Sequence, residues 1–196
     1  MNKTSNNTVY RRIVCFDFDK TLIYTAEPEE GRPLWLATKG VPFPHPTGWW
    51  SKPETLDLEV FYPTVNQWTI KKYAEAISDT DNYVFIATGR MEKLKPLVEK
   101  ILISEHVIEQ TKKHLGEKSK GIIVDDVFCN WGSETYRFKT RLFEGIIRKN
   151  PKATEFILYD DRHEHLVKFV EWAAIIEEQY RIKVSIIDVI NTKQLY

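Results

Sequence analysis

Asp17-Phe18-Asp19-Lys20-Thr21 follows directly on the apolar run Ile13-Val14-Cys15-Phe16. An apolar run that ends abruptly in carboxylates reads as a buried strand meeting a site. Side chains alternate along a strand, so Asp17 and Asp19 leave the chain on the same side. Holding two carboxylates side by side is costly unless a cation, a proton or a reaction needs them there. The arrangement suits phosphoryl transfer, in which one carboxylate attacks phosphorus and its neighbour handles the leaving-group proton. A calcium loop is a poor reading: Leu22 stands where glycine is required and Pro28 where the closing glutamate belongs.

Two more apolar runs end in polar groups. Tyr83 to Ala87 leads into Thr88-Gly89-Arg90, and Glu155 to Tyr159 into Asp160-Asp161-Arg162. Taken singly, the first reads as a strand-to-helix turn and the second as a helix cap. Arg162 can pair with Asp161 or with a substrate phosphate. His163 and His165 read as first-turn helix residues in water.

The elements that must position these groups alternate. Strands are expected over about 12–18, 83–87, 122–127, 155–159 and 183–189. A helix is expected from an N-cap at Thr64 to about Ser78, with Trp68, Tyr73, Ala76 and Ile77 as buried candidates. A second carries Leu94, Leu97, Val98, Ile101 and Leu102 on one face, with Pro96 in its first turn. A third spans about 134–148, with Phe138, Leu142, Phe143, Ile146 and Ile147 on one side and Asn150-Pro151 as its stop. A last one ends near Tyr180. Such alternation implies an α/β fold, a mostly parallel sheet with helices on both faces, whose ligands bind beyond the carboxyl ends of the strands.

Residues 24–66 break the pattern with seven prolines and Trp35, Trp49 and Trp50. Prolines at that density exclude long helices and central strands, while the tryptophans argue against disorder. The segment reads as an ordered, largely irregular insertion, with Trp49 and Trp50 as lid residues that either stack on a nucleobase or pin the insertion to the body. Residues 1–10 read as a polar tail and 11–196 as one domain.

The bulk numbers are those of an ordinary soluble protein. The 196 residues carry 28 Lys plus Arg against 28 Asp plus Glu, so net charge gives no case for nucleic acid or a membrane surface. Two cysteines without metal-binding spacing, no apolar signal core and no spanning run imply a reduced, cytoplasmic setting.

Taken together, these motifs resemble the haloacid dehalogenase (HAD) superfamily of phosphatases and phosphotransferases. D-x-D-x-T matches Asp17, Asp19 and Thr21; the Ser/Thr motif matches Thr88; the helix-borne lysine best matches Lys139, with Lys112, Lys118 and Lys120 as competitors; the acidic pair matches Asp160-Asp161. The Trp-Trp pair, Thr-Gly-Arg, T-x-x-F-K and Tyr-Asp-Asp-Arg are similar to the Swiss Army Knife RNA-repair-like HAD branch. The resemblance implies a HAD-like, Rossmann-like three-layer sandwich with the insertion after its first strand. It implies a phosphohydrolase working through an aspartyl phosphate on Asp17, with Asp19 as acid and base. Mg²⁺ would be held by Asp17, the Asp19 carbonyl and Asp160, with Asp161 orienting a bound water. Thr21, Thr88, Arg90, Lys139 and Arg162 would contact phosphate. The expected substrate is a phosphorylated small molecule or a nucleic-acid end, with no membrane and no obligate protein partner. A non-catalytic phosphate-binding module and a phosphotransferase are the alternatives.

Overall fold

A computed structural model describes residues 9–196; all but the last two residues of the expected polar tail, 1–10, lie outside the described residues. The strands are β1 (Arg12–Phe16), β2 (Ile23–Tyr24), β3 (Thr64–Val65), β4 (Asn82–Met91), β5 (Asp126–Asn130), β6 (Glu155–Asp160), β7 (Lys183–Asp188) and β8 (Lys193–Gln194). The helices are α1 (Pro28–Lys39), α2 (Gln67–Ile77), α3 (Lys95–Leu102), α4 (Glu105–Leu115), α5 (Thr135–Lys149) and α6 (His163–Tyr180). Six strands form one sheet in the order β5-β4-β1-β6-β7-β8, parallel except for β8, while β2 and β3 form a separate antiparallel pair.

Alternation along the central strands sends residues to opposite faces. Val14, Phe16, Val84 and Ile86 meet Tyr73, Val98, Ile101 and Val107 from α2, α3 and α4. Ile13, Cys15, Phe85 and Leu158 meet Phe138, Phe143, Leu166, Phe169 and Trp172 from α5 and α6. The result is the expected three-layer α/β sandwich. Both cysteines are free and buried. No helix among the described residues is long and apolar enough to cross a membrane.

Several boundaries differ from the sequence reading. Thr64 is not a helix cap: it pairs with Tyr24, and Asn66 caps α2 by accepting from the Thr69 N–H at 3.3 Å. Ile77 is exposed and Trp68 half-buried, because the α2 face turned to the sheet runs through Ile70, Tyr73 and Ala76. The third strand starts at Asp126 rather than Ile122. The Ile122 N–H bonds Leu102 O at 2.9 Å, and the ladder with β4 begins only at Phe85↔Asp126. Helix α4 and the edge strand β8 had no strong apolar signature; α4 buries only Val107 and Thr111.

The insertion is ordered, as expected, but it is not largely irregular. It contains the 12-residue α1. Pro28 lies in the first turn, where no N–H bond is missing, and only Pro33 removes a donor inside the helix. Gly40 closes α1 with φ 71°, a left-handed conformation that favours glycine. Trp35, Phe43, Trp49 and Val60 form a small core of their own. Gly31 makes room for it: a Cβ there would lie 2.2 Å from the Trp49 ring.

Candidate active site

Three strand ends build the site. The Asp17 N–H continues the ladder past β1 by bonding Tyr159 O at 2.9 Å, which brings Asp17 level with Asp160. The chain then turns sharply: Lys20 has φ 55°, the Thr21 N–H bonds Asp19 O at 2.7 Å, and the Leu22 and Ile23 N–H groups return to Phe18 O. This tucks Phe18 into the core and leaves Asp17 and Asp19 lining one cleft. On the other flank β4 delivers Thr88, Gly89 and Arg90, with an irregularity in its pairing to β5 at that point.

Lys139 reaches this edge from α5. Its Nζ donates to Asp17 Oδ1 at 2.8 Å and to Asp160 Oδ2 at 2.6 Å, and the ammonium is almost wholly buried. Burial opposes the charge, yet Asp160 and Asp17 together hold the Lys139 pKa well above the ordinary lysine value. Burial raises the Asp17 pKa well above the carboxylate range, with Lys139 pulling against it and Asp160 and Asp161 adding to it. Burial and the Asp160 charge push Asp161 up to about 6. One oxygen from each of Asp17, Asp160 and Asp161 lies within 4.8 Å of the others. Three convergent carboxylate oxygens are the donor set a hard divalent cation such as Mg²⁺ takes, so the residues present fit that ion. Among the described residues the Asp19 carbonyl accepts the Thr21 N–H alone, and its second lone pair could serve the same purpose.

Asp19 is held differently. Its Oδ1 accepts from Thr25 Oγ1 at 2.7 Å and from Arg90 Nη2 at 2.8 Å, and Arg90 Nε lies 3.0–3.1 Å from both oxygens. Arg90 Nη1 donates to Thr55 Oγ1 at 2.6 Å and to Trp50 O at 3.2 Å, and the guanidinium lies 4.8 Å from the Trp50 ring centroid. Four of the five guanidinium N–H groups thus have partners inside the protein. In this arrangement Arg90 acts as a clamp on Asp19.

The other expected site residues divide. Thr88 is fully buried beside Asp19: its Oγ1 lies 3.5 Å from Asp19 Oδ2 and accepts the Arg90 N–H at 3.1 Å. Thr21 does not line the cleft; its side chain is buried and its hydroxyl has no partner among the described residues. The cleft, about 330 Å³, takes in Asp17, Asp19, Arg90, Lys139, Asp160, Asp161 and the exposed Arg162. Trp50 lines it too. Trp49 does not: only 3% exposed, it packs in the core of the insertion and donates from Nε1 to Ala26 O at 2.9 Å. The expectation of a lid role for Trp49 is therefore corrected; its ring fills the space left by Gly31.

Lys20, Glu27, Thr135 and His165 also line the cleft and were not anticipated. Lys20 and Glu27 are ion-paired across the entrance to the insertion. His165 is 5% exposed rather than in water. Burial lowers its pKa, with Asp160 opposing. Its spacing to Phe169, Trp172 and Ile176 was the available signal, since these share a helix face. Thr135 is the first residue of the T-x-x-F-K stretch, which marked Lys139 rather than Thr135 as the site residue. It explains Gly89, where a Cβ would lie 3.0 Å from Thr135 Oγ1.

Comparison with known proteins adds a lineage to this geometry. A sequence profile described as HAD domain family 1 in Swiss Army Knife RNA repair proteins matches residues 39–196. The matched stretch includes Thr88, Lys139 and Asp160-Asp161 but begins after β1, so the fold is what sets Asp17 and Asp19 beside them. A solved structure titled "Structure of the Pnkp1/Rnl/Hen1 RNA repair complex" contains a chain with a similar fold, at TM-score 0.50 and 13% identity over 94% of the present chain. The present chain spans 47% of that one. No curated protein matches the sequence.

Proposed function

The chain belongs to HAD domain family 1 of the Swiss Army Knife RNA repair proteins, and from that premise we propose that it is a phosphatase cleaving phosphomonoesters through Asp17. The observation that carries the proposal is the buried Asp17–Lys139–Asp160 chain at the carboxyl edge of the sheet, facing a cleft that Asp19 also lines.

Asp17 attacks phosphorus through a carboxylate oxygen, and the P–O bond to the leaving group breaks as the new one forms. Asp19 gives its proton to the departing oxygen. Water then attacks the Asp17 acyl phosphate, Asp19 takes a proton from it, and phosphate leaves with the Asp17 carboxylate restored. Lys139, with a third N–H beyond the two bonded to Asp17 and Asp160, donates to a phosphate oxygen as charge shifts. Arg162 offers a further cation at the cleft wall. Thr88 holds the Asp19 flank in place. A Mg²⁺ ion held by Asp17, Asp160, Asp161 and the Asp19 carbonyl would offset the repulsion between these carboxylates and a phosphate dianion.

The deciding measurement is hydrolysis of 4-nitrophenyl phosphate with Mg²⁺ and with chelator, for the parent and for Asp17→Asn. Turnover is expected in the parent with Mg²⁺ alone and in the variant not at all, with unchanged melting. Equal rates in the two proteins would remove Asp17 as nucleophile. Tight phosphate binding without turnover would favour a binding module, and transfer to an added alcohol in place of water a phosphotransferase.

For the substrate we favour a nucleotide or nucleic-acid end phosphate. Trp50, half-buried at the cleft, offers a ring beside the phosphate position, and base stacking on such a ring is worth about 1–3 kcal/mol. Trp50→Ala is expected to cut the preference in kcat/KM for a 3′- or 5′-phosphorylated oligonucleotide over a sugar phosphate, while 4-nitrophenyl phosphate hydrolysis survives. An unchanged preference would rule out the stacking role. The free, buried Cys15 and Cys129 support a reducing, cytoplasmic setting.

A further inference from the structure

We infer that Arg90 is a positioning residue through which the insertion, residues 24–66, sets the orientation of the Asp19 carboxyl group. The inference rests on the reading of Asp19 as acid and base.

Arg90 belongs to the sheet, yet half of its bonds go to the insertion. Its side chain is fully buried, and a buried cation needs a partner of opposite charge. Asp19 supplies it through Nε and Nη2. The remaining edge of the guanidinium is fixed by neutral acceptors, Thr55 Oγ1 and Trp50 O, with the Trp50 ring against its face. A guanidinium is planar and rigid, so its two edges move as one body. A shift of the segment bearing Trp50 and Thr55 therefore reorients the edge that grips Asp19. The insertion also reaches Asp19 from its other end, where Thr25 donates to Oδ1 at 2.7 Å. Oδ1 is thus held from both ends of the insertion. Among the described residues Oδ2 takes Nε and the long 3.5 Å approach of Thr88, so it is the oxygen with more room for a bond to the leaving group. A substrate that presses on Trp50 in the cleft would be felt at Asp19 by this route.

A phosphate-binding arginine and an acid-positioning arginine differ in one measurable respect. The proton from Asp19 matters for a poor leaving group and hardly at all for a good one. The test compares kcat/KM, which reports the steps through P–O cleavage, for an alkyl phosphate and for 2,4-dinitrophenyl phosphate. Asp19→Asn sets the reference pattern: general acid catalysis contributes roughly 10²–10⁴-fold, so a loss of that order is expected on the alkyl ester alone. Arg90→Lys keeps the charge but loses the bridge, and about a tenfold loss is expected on the alkyl ester, with the dinitrophenyl ester within about twofold. Thr55→Val, which removes only the 2.6 Å bond on the insertion side, should lose about threefold on the alkyl ester alone. Adding Arg90→Lys to Asp19→Asn should cause no further loss, because both act through one proton.

Equal losses on both esters in Arg90→Lys would overturn the inference in favour of phosphate binding or general packing. A Thr55→Val protein indistinguishable from the parent on both esters would sever the insertion from Asp19. Should Arg90→Lys fail to fold, Thr55→Val and Thr25→Val, which tests the direct bond to Oδ1, still decide the matter. Asp17→Asn with parental rates would instead remove the underlying phosphatase reading, an outcome separate from all of these.

Discussion

Lys139 stands between two carboxylates that would otherwise face each other in the interior. Its bonds, 2.8 Å to Asp17 and 2.6 Å to Asp160, tie α5 to the residue that follows β1 and to the last residue of β6. Removing one member of a buried ionic set is more damaging than the net value of the set, because the remaining charges stay desolvated. Lys139→Met keeps most of the volume and deletes the cation. In chelator, urea unfolding is expected to show a loss of about 3–5 kcal/mol. A loss under about 1 kcal/mol, the scale of an exposed ion pair, would mean that the carboxylates find relief elsewhere.

At the scale of elements, α5 carries Lys139 into the site, and its first turn fixes how far it reaches. Glu134 caps it, accepting the Tyr136 N–H at 3.1 Å and the Arg137 N–H at 2.9 Å. Burial is the largest single influence and works against the charge, but these two bonds, with His165 and Lys168 nearby, together outweigh it and lower the Glu134 pKa. A carboxylate with a depressed folded-state pKa binds fewer protons folded than unfolded, so it stabilises the fold above its unfolded value and loses that contribution as pH falls through the folded value. Glu134→Ala is expected to cost about 0.5–2 kcal/mol above pH 4.5. The gap to the parent should close as the solution is acidified below that pH. A gap independent of pH would assign the cap to backbone geometry alone.

For the molecule as a whole, the carboxylate cluster is a point of weakness that a cation can turn into a point of strength. Any ligand that binds the folded chain and not the unfolded one adds stability by mass action, about 2.7 kcal/mol at a hundredfold excess over Kd. For a chain of this size that corresponds to a rise in Tm of about 5–10 °C. Mg²⁺ is expected to produce such a rise and chelator to reverse it. Asp160→Ala should abolish the rise, since Asp160 sits inside the cluster. An equal rise in that variant would place the ion elsewhere.

Much of this was determined by the chain locally. Apolar runs before Asp17, Thr88 and Asp160 marked strands that bring these residues to one edge, because strand burial is written in neighbouring residues; where the second strand ends was not, since β4 continues through Thr88-Gly89-Arg90, expected as a turn, to Met91. Lys139 could be placed on a helix by the 3.6-residue spacing of Phe138, Leu142, Phe143 and Ile146. The family profile matches most of the same chain. What the sequence left open depends on residues far apart. Prolines at 28 and 33 argued against a helix that the Gly31–Trp49 contact and the packing of Trp35 nonetheless hold. Two adjacent tryptophans looked equivalent, yet Trp49 became core and Trp50 cleft, since consecutive side chains point apart and only the packed insertion decides which one faces in. Arg90 read as a phosphate ligand because its type permits it. Only the tertiary structure supplies Asp19, Thr55 and Trp50 as its partners, 71, 35 and 40 positions away, and no local pattern encodes contacts at such separations.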